Sequence, residues 1–535
     1  MTTRVSKVRP GIDPPGLPRP DPCLSYWLAH SQDSPYTDGF CSTELLPQQS
    51  DIVIVGSGMS GVLTAYFLMK ELTEEGRGGG RSASLTMIEA RDFCSGATGR
   101  NGGHCRPDSY LGFPTYSKHF GEDQAKKILK NEIQTLELVE RLVRETGAPS
   151  EVDFWKGRGM DVFMDEKVKR EAKNALDSYL ASGGQDFGVE WVEDGKEAER
   201  RSRVKGALGA ALYPAGSFYP HRFCMHILSI LLSSSSSQHH RGGGFSFNIQ
   251  TQTPVTSLSS SLDGRGQRRF KLKTTRGEIE AGTVIHATNA FVGNLVPELI
   301  HAVVPMRGHC SAHTPPRSFS GARMLETTQI LRWAPGHECG VPQDPRAIQF
   351  DEAFDYVIQR KGTGSVIIGG GGGGATYRNP SAFGNTDDSS RDAGVSDYLV
   401  NCMKSTYEGW NVEAGVNDER RKGLAGQLGQ GVERVWTGVM GFSKDELPYV
   451  GDLPGKPDEY VNAGHHGHGM ARIATCSRGL ARMRLAYDSP EFYESLTGLP
   501  ASFRPTRKRL EEKAWGFEPF PSSFTSSSPQ PDSKL

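Results

Sequence analysis

The chain has 535 residues, a formal net charge of −1 and hydrophobic residues at 36% of its positions. This length allows two or three domains with a sizeable core, and the balanced charge excludes a strong overall field for nucleic acid or an anionic membrane. The nine cysteines form no CxxC pair. With no bilayer-length apolar run and no secretory signal, we expect a soluble intracellular protein without nucleic-acid or membrane partners.

The first predicted elements form a strand–helix–strand unit. Residues 1–24 are rich in proline and predict an extended arm. Residues 51–76, "DIVIVGSGMSGVLTAYFLMKELTEEG", begin as a continuous apolar strand, pass through glycines and continue as an amphipathic helix. After the flexible loop 76–82, a second buried strand is predicted at 83–90. This order is typical of a βαβ unit that opens an α/β domain.

Later elements follow the change in hydrophobic period along the chain. Apolar residues at helical spacing predict four further helices, at 122–147, 166–181, 221–232 and 397–412. Strand patterns begin at residue 245 and predict a β-meander with a hairpin turn at 263–266, two strands in 354–370 and a strand in 432–452.

Three low-complexity segments are predicted to lie outside the regular elements. The serine-rich segment 233–244 predicts an exposed insertion, and 521–535 predicts a disordered tail. The glycine run 369–374 predicts a wide loop, because no Lys-Ser or Lys-Thr follows it as a P-loop requires. We predict no metal site, since His337 and Cys339 have no second pair of ligands nearby.

The turn after the first strand carries a dinucleotide fingerprint. "GSGMSG" (56–61) matches G-x-G-x-x-G: its first glycine allows the tight turn, the second allows close approach to a pyrophosphate, and the third allows helix–strand packing. Glu89 ends the second strand, where a carboxylate can bind ribose hydroxyls. The cofactor-binding residues predicted here are Gly56, Ser57, Gly58, Met59, Ser60, Gly61 and Glu89.

The bare segment "CSGATGRNGGH" (94–104) decides between the cofactors that share this fingerprint. Its GATGRNGGH run resembles the D-amino-acid-oxidase-like flavoproteins, the group containing glycine and sarcosine oxidases, and is especially similar to the γ-glutamylputrescine oxidoreductase branch. The resemblance covers roughly residues 25 to 490 and includes four further segments: "SYWLAH" (25–30), "VIHATNAF" (284–291), "VVPMRGH" (303–309) and "NAGHHGHGM" (462–470).

The resemblance implies FAD as the cofactor. Glycine and alanine let the backbone lie against the flat flavin, and Arg100 and Asn101 are expected to add charge and hydrogen bonds. Arg100 stands at one place where family members attach FAD covalently, and 435–448 contains no cysteine, so the FAD is expected to be non-covalent. The further cofactor-binding residues implied are Ala90, Arg91, Ala97, Thr98, Gly99, Arg100, Asn101, Gly102, Gly103, Val255, Ala287, Thr288, Asn289, Gly441, Gly467, His468, Gly469 and Met470.

The family reaction implies oxidation of the carbon beside an amine to an imine, with O2 reduced to H2O2. The candidate catalytic residues are His104, Arg307, Tyr356 and His466. A structural salt bridge is an equal alternative for Arg307, as is an ordinary turn residue for His466. Lys444 occupies a place near the flavin in the family, but we interpret it as a surface lysine. Two rival functions stay open: an FAD dehydrogenase with another electron acceptor, and a non-catalytic flavin-binding protein.

The fold class implied is α/β, with a Rossmann-type FAD-binding domain and an interleaved α+β substrate domain of antiparallel sheet and helices. FAD-binding segments are expected at 25–110, 212–310 and 432–490, and substrate-domain segments at 111–211 and 311–431. A C-terminal tail is expected at 491–535; it ends in Ser533, Lys534 and Leu535, which match the peroxisomal address. We therefore expect the peroxisomal import receptor as a partner and a peroxisomal location, otherwise a cytoplasmic one.

Overall fold

Two mixed β-sheets organise the protein. The computed structural model describes residues 13–73, 83–237, 245–264, 266–333, 353–370, 382–410, 431–485 and 493–512. The strands are β1 Gln49–Val55, β2 Ala83–Ile88, β3 His104–Cys105, β4 Trp155–Phe163, β5 Glu190–Val192, β6 Gly209–Ser217, β7 Phe245–Gln250, β8 Val255–Leu262, β9 Arg268–Thr274, β10 Gly277–His286, β11 Val303–His313, β12 Thr327–Trp333, β13 Ala353–Gln359, β14 Val366–Gly369, β15 Val432–Ser443, β16 Tyr449–Leu453 and β17 Lys456–Ala463.

The helices cover both sheets and form the ends of the described chain. They are α1 Tyr26–Ala29, α2 Met59–Thr73, α3 Phe113–Phe120, α4 Glu122–Glu145, α5 Glu166–Ala181, α6 Gly195–Ser202, α7 Pro220–Ser237, α8 Ala393–Thr406, α9 Gly469–Leu485, α10 Tyr493–Thr497 and α11 Arg507–Glu511.

The first sheet has the parallel core of a nucleotide-binding domain. Its strands run in the order β16-β17-β10-β1-β2-β7, and β1 pairs in parallel with both β10 and β2. The central strands are continuous apolar runs because both of their faces are covered, one by helices and the other by the strands β8, β9 and β10. Helix α2 packs against α7 on one side and α9 on the other. The predicted strand–helix–strand unit is confirmed, and its loops meet at the carboxyl edge of the sheet.

The second sheet is mainly antiparallel and has the order β15-β11-β14-β13-β12-β4-β6-β3, with β5 paired to β6. Its longest pairing joins β11 to β15 along the length of both strands. A cluster of buried apolar side chains from β4, β6, β12, β13 and β14 packs against α6 and α8. The predicted fold class, a Rossmann-type domain interleaved with a domain of antiparallel sheet and helices, is confirmed.

Three predicted elements differ from the structure in extent. Helix α7 continues through Ser237, so part of the serine run is helical rather than an exposed insertion; the Ser233 hydroxyl bonds back to the Ser229 carbonyl at 2.8 Å. Helix α8 begins at Ala393, where the Asp392 carboxylate caps its first turn. The segment 432–452 forms two strands, β15 and β16, rather than one. Residues 238–244 and most of the glycine run lie outside the described residues.

The sheets divide the chain at places other than the expected boundaries. Strands β11 and β15 belong to the second sheet. Residues 303–310, which form most of β11, and all of β15 were expected in the FAD-binding segments. The expected tail also begins later, because Tyr493, Leu499 and Phe503 are buried against the first domain. A strand of either sheet has the same hydrophobic pattern. The sequence therefore does not show where the chain passes from one sheet to the other.

Candidate functional site

A cavity of about 560 Å³ lies between the two sheets. The first sheet contributes the carboxyl ends of β1 and β2, and the second contributes residues of β12, β13 and β15. Most of the sequence-predicted residues line it: Gly56, Gly58, Met59, Ser60, Glu89, Ala90, Arg91, Ala97, Thr98, Arg100, Asn101, Gly102, His104, Val255, Ala287, Thr288, Asn289, Tyr356, His466, Gly467, His468, Gly469 and Met470.

The turn between β1 and α2 leaves no room for side chains. Gly56 has φ 109°, and a Cβ there would lie 2.6 Å from the Ala287 carbonyl oxygen. A Cβ on Gly61 would lie 2.0 Å from the Gly56 carbonyl oxygen. Gly56, Gly58, Met59 and Ser60 line the cavity, so the N-terminus of α2 faces it, with Met59 N donating to Thr98 Oγ1 at 3.0 Å. This is the arrangement that binds a pyrophosphate.

The Glu89 carboxylate is fixed at the end of β2. It accepts hydrogen bonds from Ser57 N at 2.9 Å, Ser57 Oγ at 2.8 Å and Arg91 N at 3.0 Å. Thr253 N donates to the Glu89 carbonyl, and Val255 stands two residues further along, also in the cavity wall. The carboxylate keeps lone pairs for further donors, as ribose binding requires.

The polar side chains of the loop 94–104 are used to hold protein. Arg100 donates to the carbonyls of Ser95, Cys23 and Thr437 at 2.8–2.9 Å. The Asn101 amide bonds to carbonyls of its own loop and accepts from Gly103 N at 2.7 Å. Both residues also line the cavity, and their role toward the cofactor stays a prediction.

Five predicted cofactor-binding positions lie outside the cavity wall: Ser57, Gly61, Gly99, Gly103 and Gly441. These glycines allow close packing of protein on protein instead. A Cβ on Gly99 would lie 2.6 Å from a carbonyl oxygen, one on Gly103 would lie 2.9 Å from the Trp27 ring, and one on Gly441 would lie 2.8 Å from Asn289 Oδ1. A glycine pattern alone does not distinguish these two uses.

Three histidines of the segment "GHHGHG" line the cavity before α9. His465 Nε2 lies 3.2 Å from Ser60 Oγ, and His466 Nδ1 lies 3.0 Å from the Ser443 carbonyl. Burial lowers the pKa of each to about 3, so both are neutral at pH 7. The N-terminus of α9 thus presents backbone dipoles and neutral imidazoles to the cavity.

A buried carboxylate supports this segment from behind. Glu132 of α4 is fully buried; its Oε1 accepts from Arg472 Nε at 2.7 Å and lies 3.6 Å from His468 Nδ1. Despite desolvation, Arg472 and His468 lower the pKa of Glu132 to about 2. Glu132 lies on the apolar stripe predicted for α4, and only its polarity within that stripe signals a special role.

On the second-sheet side, His104 and Tyr356 stand together. Their ring centroids are 5.2 Å apart at 80°, and His104 Nδ1 lies 2.8 Å from Thr328 Oγ1. The other ring nitrogen, Nε2, is buried without a hydrogen-bond partner. Burial, followed by the charges of Arg106 and Arg360, lowers the pKa of His104 to about 3. A neutral imidazole with an unused nitrogen therefore lines the cavity.

The sequence analysis missed a cluster of charged residues beside this pair. Arg106 and Arg332 line the cavity and share the buried Asp161, with nitrogen–oxygen distances of 3.6 Å and 3.1 Å. Asp161 also accepts hydroxyl hydrogen bonds from Tyr213 and Tyr110 at 2.8 and 3.0 Å. These five residues come from separate parts of the chain, so no local sequence motif predicts the cluster.

Two other expectations about charged side chains are corrected. Arg307 does not line the cavity; it donates to Ser390 Oγ at 2.9 Å and to the Asp387 carbonyl at 3.4 Å. Lys444 is buried rather than on the surface, and its Nζ donates to the carbonyls of Leu510 and Glu512, at 2.9 and 2.5 Å. Lys444 thus fastens the segment around α11 to the turn after β15.

Comparison with known families identifies this arrangement. The model of the DAO family, described as FAD dependent oxidoreductase, matches residues 51–483. The chain belongs to this family. The protein is therefore an FAD-dependent oxidoreductase, and the resemblance inferred from the loop 94–104 is confirmed.

Individual relatives are distant. The probable oxidoreductase OrdL of Haemophilus influenzae is 23% identical over 254 residues, which are 48% of this chain and about half, 52%, of that protein. Glycine oxidase from Geobacillus kaustophilus superposes with a TM-score of 0.58 at 17% identity over 86% of this chain and 99% of its own. L-proline dehydrogenase from P. horikoshii gives 0.54 at 17% identity over 86% and 98%. The structural likenesses show the shared fold.

The cavity fits FAD on its own geometry. Gly56 and Gly58 bring bare backbone to the wall, a Cβ being sterically excluded at Gly56, and Thr288 Oγ1 is buried in the wall without a hydrogen-bond partner. Glu89 supplies a fixed acceptor at one end, and the α9 N-terminus supplies donors elsewhere in the wall. Within the described residues no group of three potential metal ligands occurs, and no helix there is long and apolar enough to cross a membrane.

Proposed function

We propose that the protein oxidises the C–N bond of a small amine or amino acid that carries a carboxylate, and that O2 accepts the electrons. The observation that carries this proposal is the position of Arg106, which lines the FAD cavity beside His104 and Tyr356. FAD, when bound, would accept a hydride (two electrons and one proton) from the substrate carbon, while the nitrogen loses a proton. O2 would then reoxidise the reduced flavin and be reduced to H2O2 by the two electrons and two protons. The imine product is then hydrolysed by water.

Arg106 is suited to hold the substrate carboxylate. Its Nη1 donates to Tyr213 OH at 2.8 Å and faces Asp161 at 3.6 Å. Within the described residues its Nε and Nη2 make no hydrogen bond, so the two nitrogens that form a bidentate pair stay available in the cavity. Asp161 and Tyr213 orient the guanidinium without using that edge.

His104 and Tyr356 are suited to orient the substrate nitrogen. His104 is neutral at pH 7, so its Nε2 can accept a hydrogen bond from an amine when Thr328 accepts from Nδ1. With a pKa of about 3, His104 does not take the ammonium proton itself, which leaves to solvent; its Nε2 can then hold the uncharged amine, the form whose C–H bond is oxidised. Tyr356 OH lies 3.0 Å from Cys310 Sγ, which fixes the phenol in the cavity wall.

An experiment under argon separates the proposal from its rivals. The yellow protein is mixed with a panel of amines, each paired with the amino acid that bears an added carboxylate, and absorbance near 450 nm is followed. Bleaching by carboxylated members and fast return of colour on air, with one H2O2 per flavin, supports the oxidase. If the yellow colour returns slowly in air but fast with an artificial electron acceptor, the protein is a dehydrogenase. One structural neighbour is an L-proline dehydrogenase. No bleaching by any compound indicates a non-catalytic flavoprotein.

We also propose that FAD is held without a covalent bond. Arg100 stands at one place where family members attach FAD covalently, and 435–448, which would hold the other attachment site, contains no cysteine. Acid precipitation should release all yellow colour into the supernatant. Colour retained in the pellet would contradict the proposal.

The peroxisomal location stays a prediction of the sequence, because residues 513–535 lie outside the described residues. It agrees with an H2O2-forming reaction, which suits a compartment that contains catalase. Removing Leu535 should leave a yellow protein that no longer enters peroxisomes, since the import receptor reads the free terminal tripeptide. Import of the shortened protein, or failure of the intact one, would overturn the prediction.

A further inference from the structure

The N-terminal arm closes one end of the FAD cavity. Gly16, Leu17 and Pro18 line this cavity together with Glu89 and Arg91. Neither the fingerprint nor the family pattern assigns a role to the arm. We propose that residues 16–18 bind the adenosine half of FAD and retain the cofactor.

Contacts of the arm locate it at the adenosine end. Arg91 Nη1 donates to the Arg19 carbonyl at 3.2 Å, while the backbone N of Arg91 donates to the Glu89 carboxylate. In this fold the acid at the end of the second strand binds the ribose next to the adenine. Residues directly before Arg19 therefore cover the adenosine rather than the flavin ring.

Asp388 connects the arm, at Cys23, to the residues Arg91 and Arg100 of the cavity wall. Its carboxylate accepts from Arg91 Nη1 at 3.0 Å and lies 3.4 Å from Arg100 Nε, and its carbonyl accepts from Cys23 N at 2.8 Å. Asp388, Arg91 and Arg100 are all buried. Charges buried in this way hold a fixed geometry, because separating them leaves an uncompensated charge in the interior.

The residues that follow the arm bind directly to the loop 94–104, the FAD loop. Ser25 Oγ donates to the Gly99 carbonyl at 2.5 Å, and Trp27 Nε1 donates to the Asn101 carbonyl at 2.5 Å. The Trp27 ring is fully buried. The arm and helix α1 are therefore fixed against the loop, and residues 16–18 of the arm line the cavity.

The chemistry of residues 16–18 suits an adenine ring. Leu17 is 46% exposed and Pro18 is rigid, so an apolar, preorganised surface faces a flat aromatic ligand. Covering Leu17 with adenine removes apolar surface from water without ordering a mobile segment. We expect the arm to slow FAD release by about tenfold, a factor that corresponds to about 1.4 kcal/mol.

Two truncations of the full chain test the proposal. One lacks residues 1–12, which precede the contact, and the other lacks residues 1–18. FAD release from the holoprotein is followed by the rise of free-flavin fluorescence after dilution, and ADP binding to the apoprotein by calorimetry. The shorter truncation should match the full chain. The longer one should release FAD about tenfold faster and bind ADP correspondingly more weakly.

Each alternative outcome overturns the proposal. Equal release from both truncations means that residues 16–18 do not retain FAD. Faster FAD release with unchanged ADP affinity means that the arm acts on the flavin loop and not on adenosine. If the longer truncation melts earlier as apoprotein, L17S in the full chain decides: it should accelerate FAD release about threefold and weaken ADP, and no change rejects the contact. These readouts do not depend on the substrate or on the electron acceptor.

Discussion

The two ends of the cavity are built in different ways. The FAD end consists of backbone from short segments at the carboxyl edge of one parallel sheet, where a single turn and one acid define the site. The substrate end consists of side chains from β4, β6, β12, β13 and the residues after β3. Backbone sites require particular conformations from neighbouring residues, whereas side-chain sites require only that distant strands meet. Substitutions at the two ends should therefore fail in different ways.

The largest effect is expected from a side chain in the pyrophosphate turn. A Cβ on Gly61 would lie 2.0 Å from the Gly56 carbonyl, so G61A must displace backbone that contacts FAD. We expect about 3 kcal/mol of lost FAD affinity, the upper end of the usual cost of overpacking. The matched control is G264A in the turn after β8, away from the cavity wall, where a Cβ meets nothing within 4 Å. Flavin content after purification measures both, and yellow G61A protein with normal affinity would contradict the packing argument.

At the substrate end, R106Q should leave FAD content unchanged and lower kcat/KM for a carboxylated substrate. Loss of a charged hydrogen bond of about 1.5–3 kcal/mol corresponds to a decrease of about 10- to 150-fold. The decarboxylated analogue of the same substrate serves as the control, because its turnover should be equally slow in the unaltered protein and in R106Q. An equal decrease for both compounds would mean that Arg106 has a general structural role.

The contrast also explains what could be predicted from the sequence. The strand–turn–helix unit and Glu89 follow from local pattern, since glycine conformations and strand ends are encoded within about thirty residues. Arg106 and Arg332 were missed because β3 and β12 are far apart in the chain and join the same sheet only in the fold. Lys444 was misjudged because burial by α11, from the expected tail, has no local signal.

Composition predicted the cofactor loop but not the direction of its side chains. Arg100 and Asn101 were expected to serve FAD; they line the cavity, and their side chains also hold the arm, a neighbouring strand and the loop itself. Gly99 and Gly103 were also predicted to contact the cofactor, but each of them allows close packing between two parts of the protein. Glycines in a sequence predict that something packs closely on the backbone, but not if this is the cofactor or another segment of the protein.

A smaller effect is expected at Glu89, where the FAD end does rely on a side chain. E89Q removes the charge that accepts from Ser57 and Arg91 and that is available to the ribose. We expect about 1–3 kcal/mol weaker FAD binding, as for loss of a charged acceptor. Titration of apoprotein with FAD measures it, and comparison with FMN, which lacks the adenosine ribose, should show no change. An unchanged dissociation constant for FAD would mean that Glu89 only shapes the turn.

The smallest effect concerns the response of the substrate end to acid. Burial lowers the pKa of His104 to about 3, while an unfolded histidine titrates near its ordinary value of about 6.5. Below that value the unfolded chain binds a proton that the folded protein does not, so stability from the neutral imidazole is present above about pH 6.5 and is lost as the pH falls. The first pH unit below should cost about 1 kcal/mol for this one group. H104Q should show a correspondingly shallower decrease in the free energy of unfolding between about pH 6.5 and 5.5, measured by denaturant titration with FAD in excess. The same change at the partly exposed His119 should leave most of the decrease in place. Equal slopes for H104Q and the unaltered protein would show that His104 is protonated in the fold, and its role as a neutral acceptor at the substrate nitrogen would then fail as well.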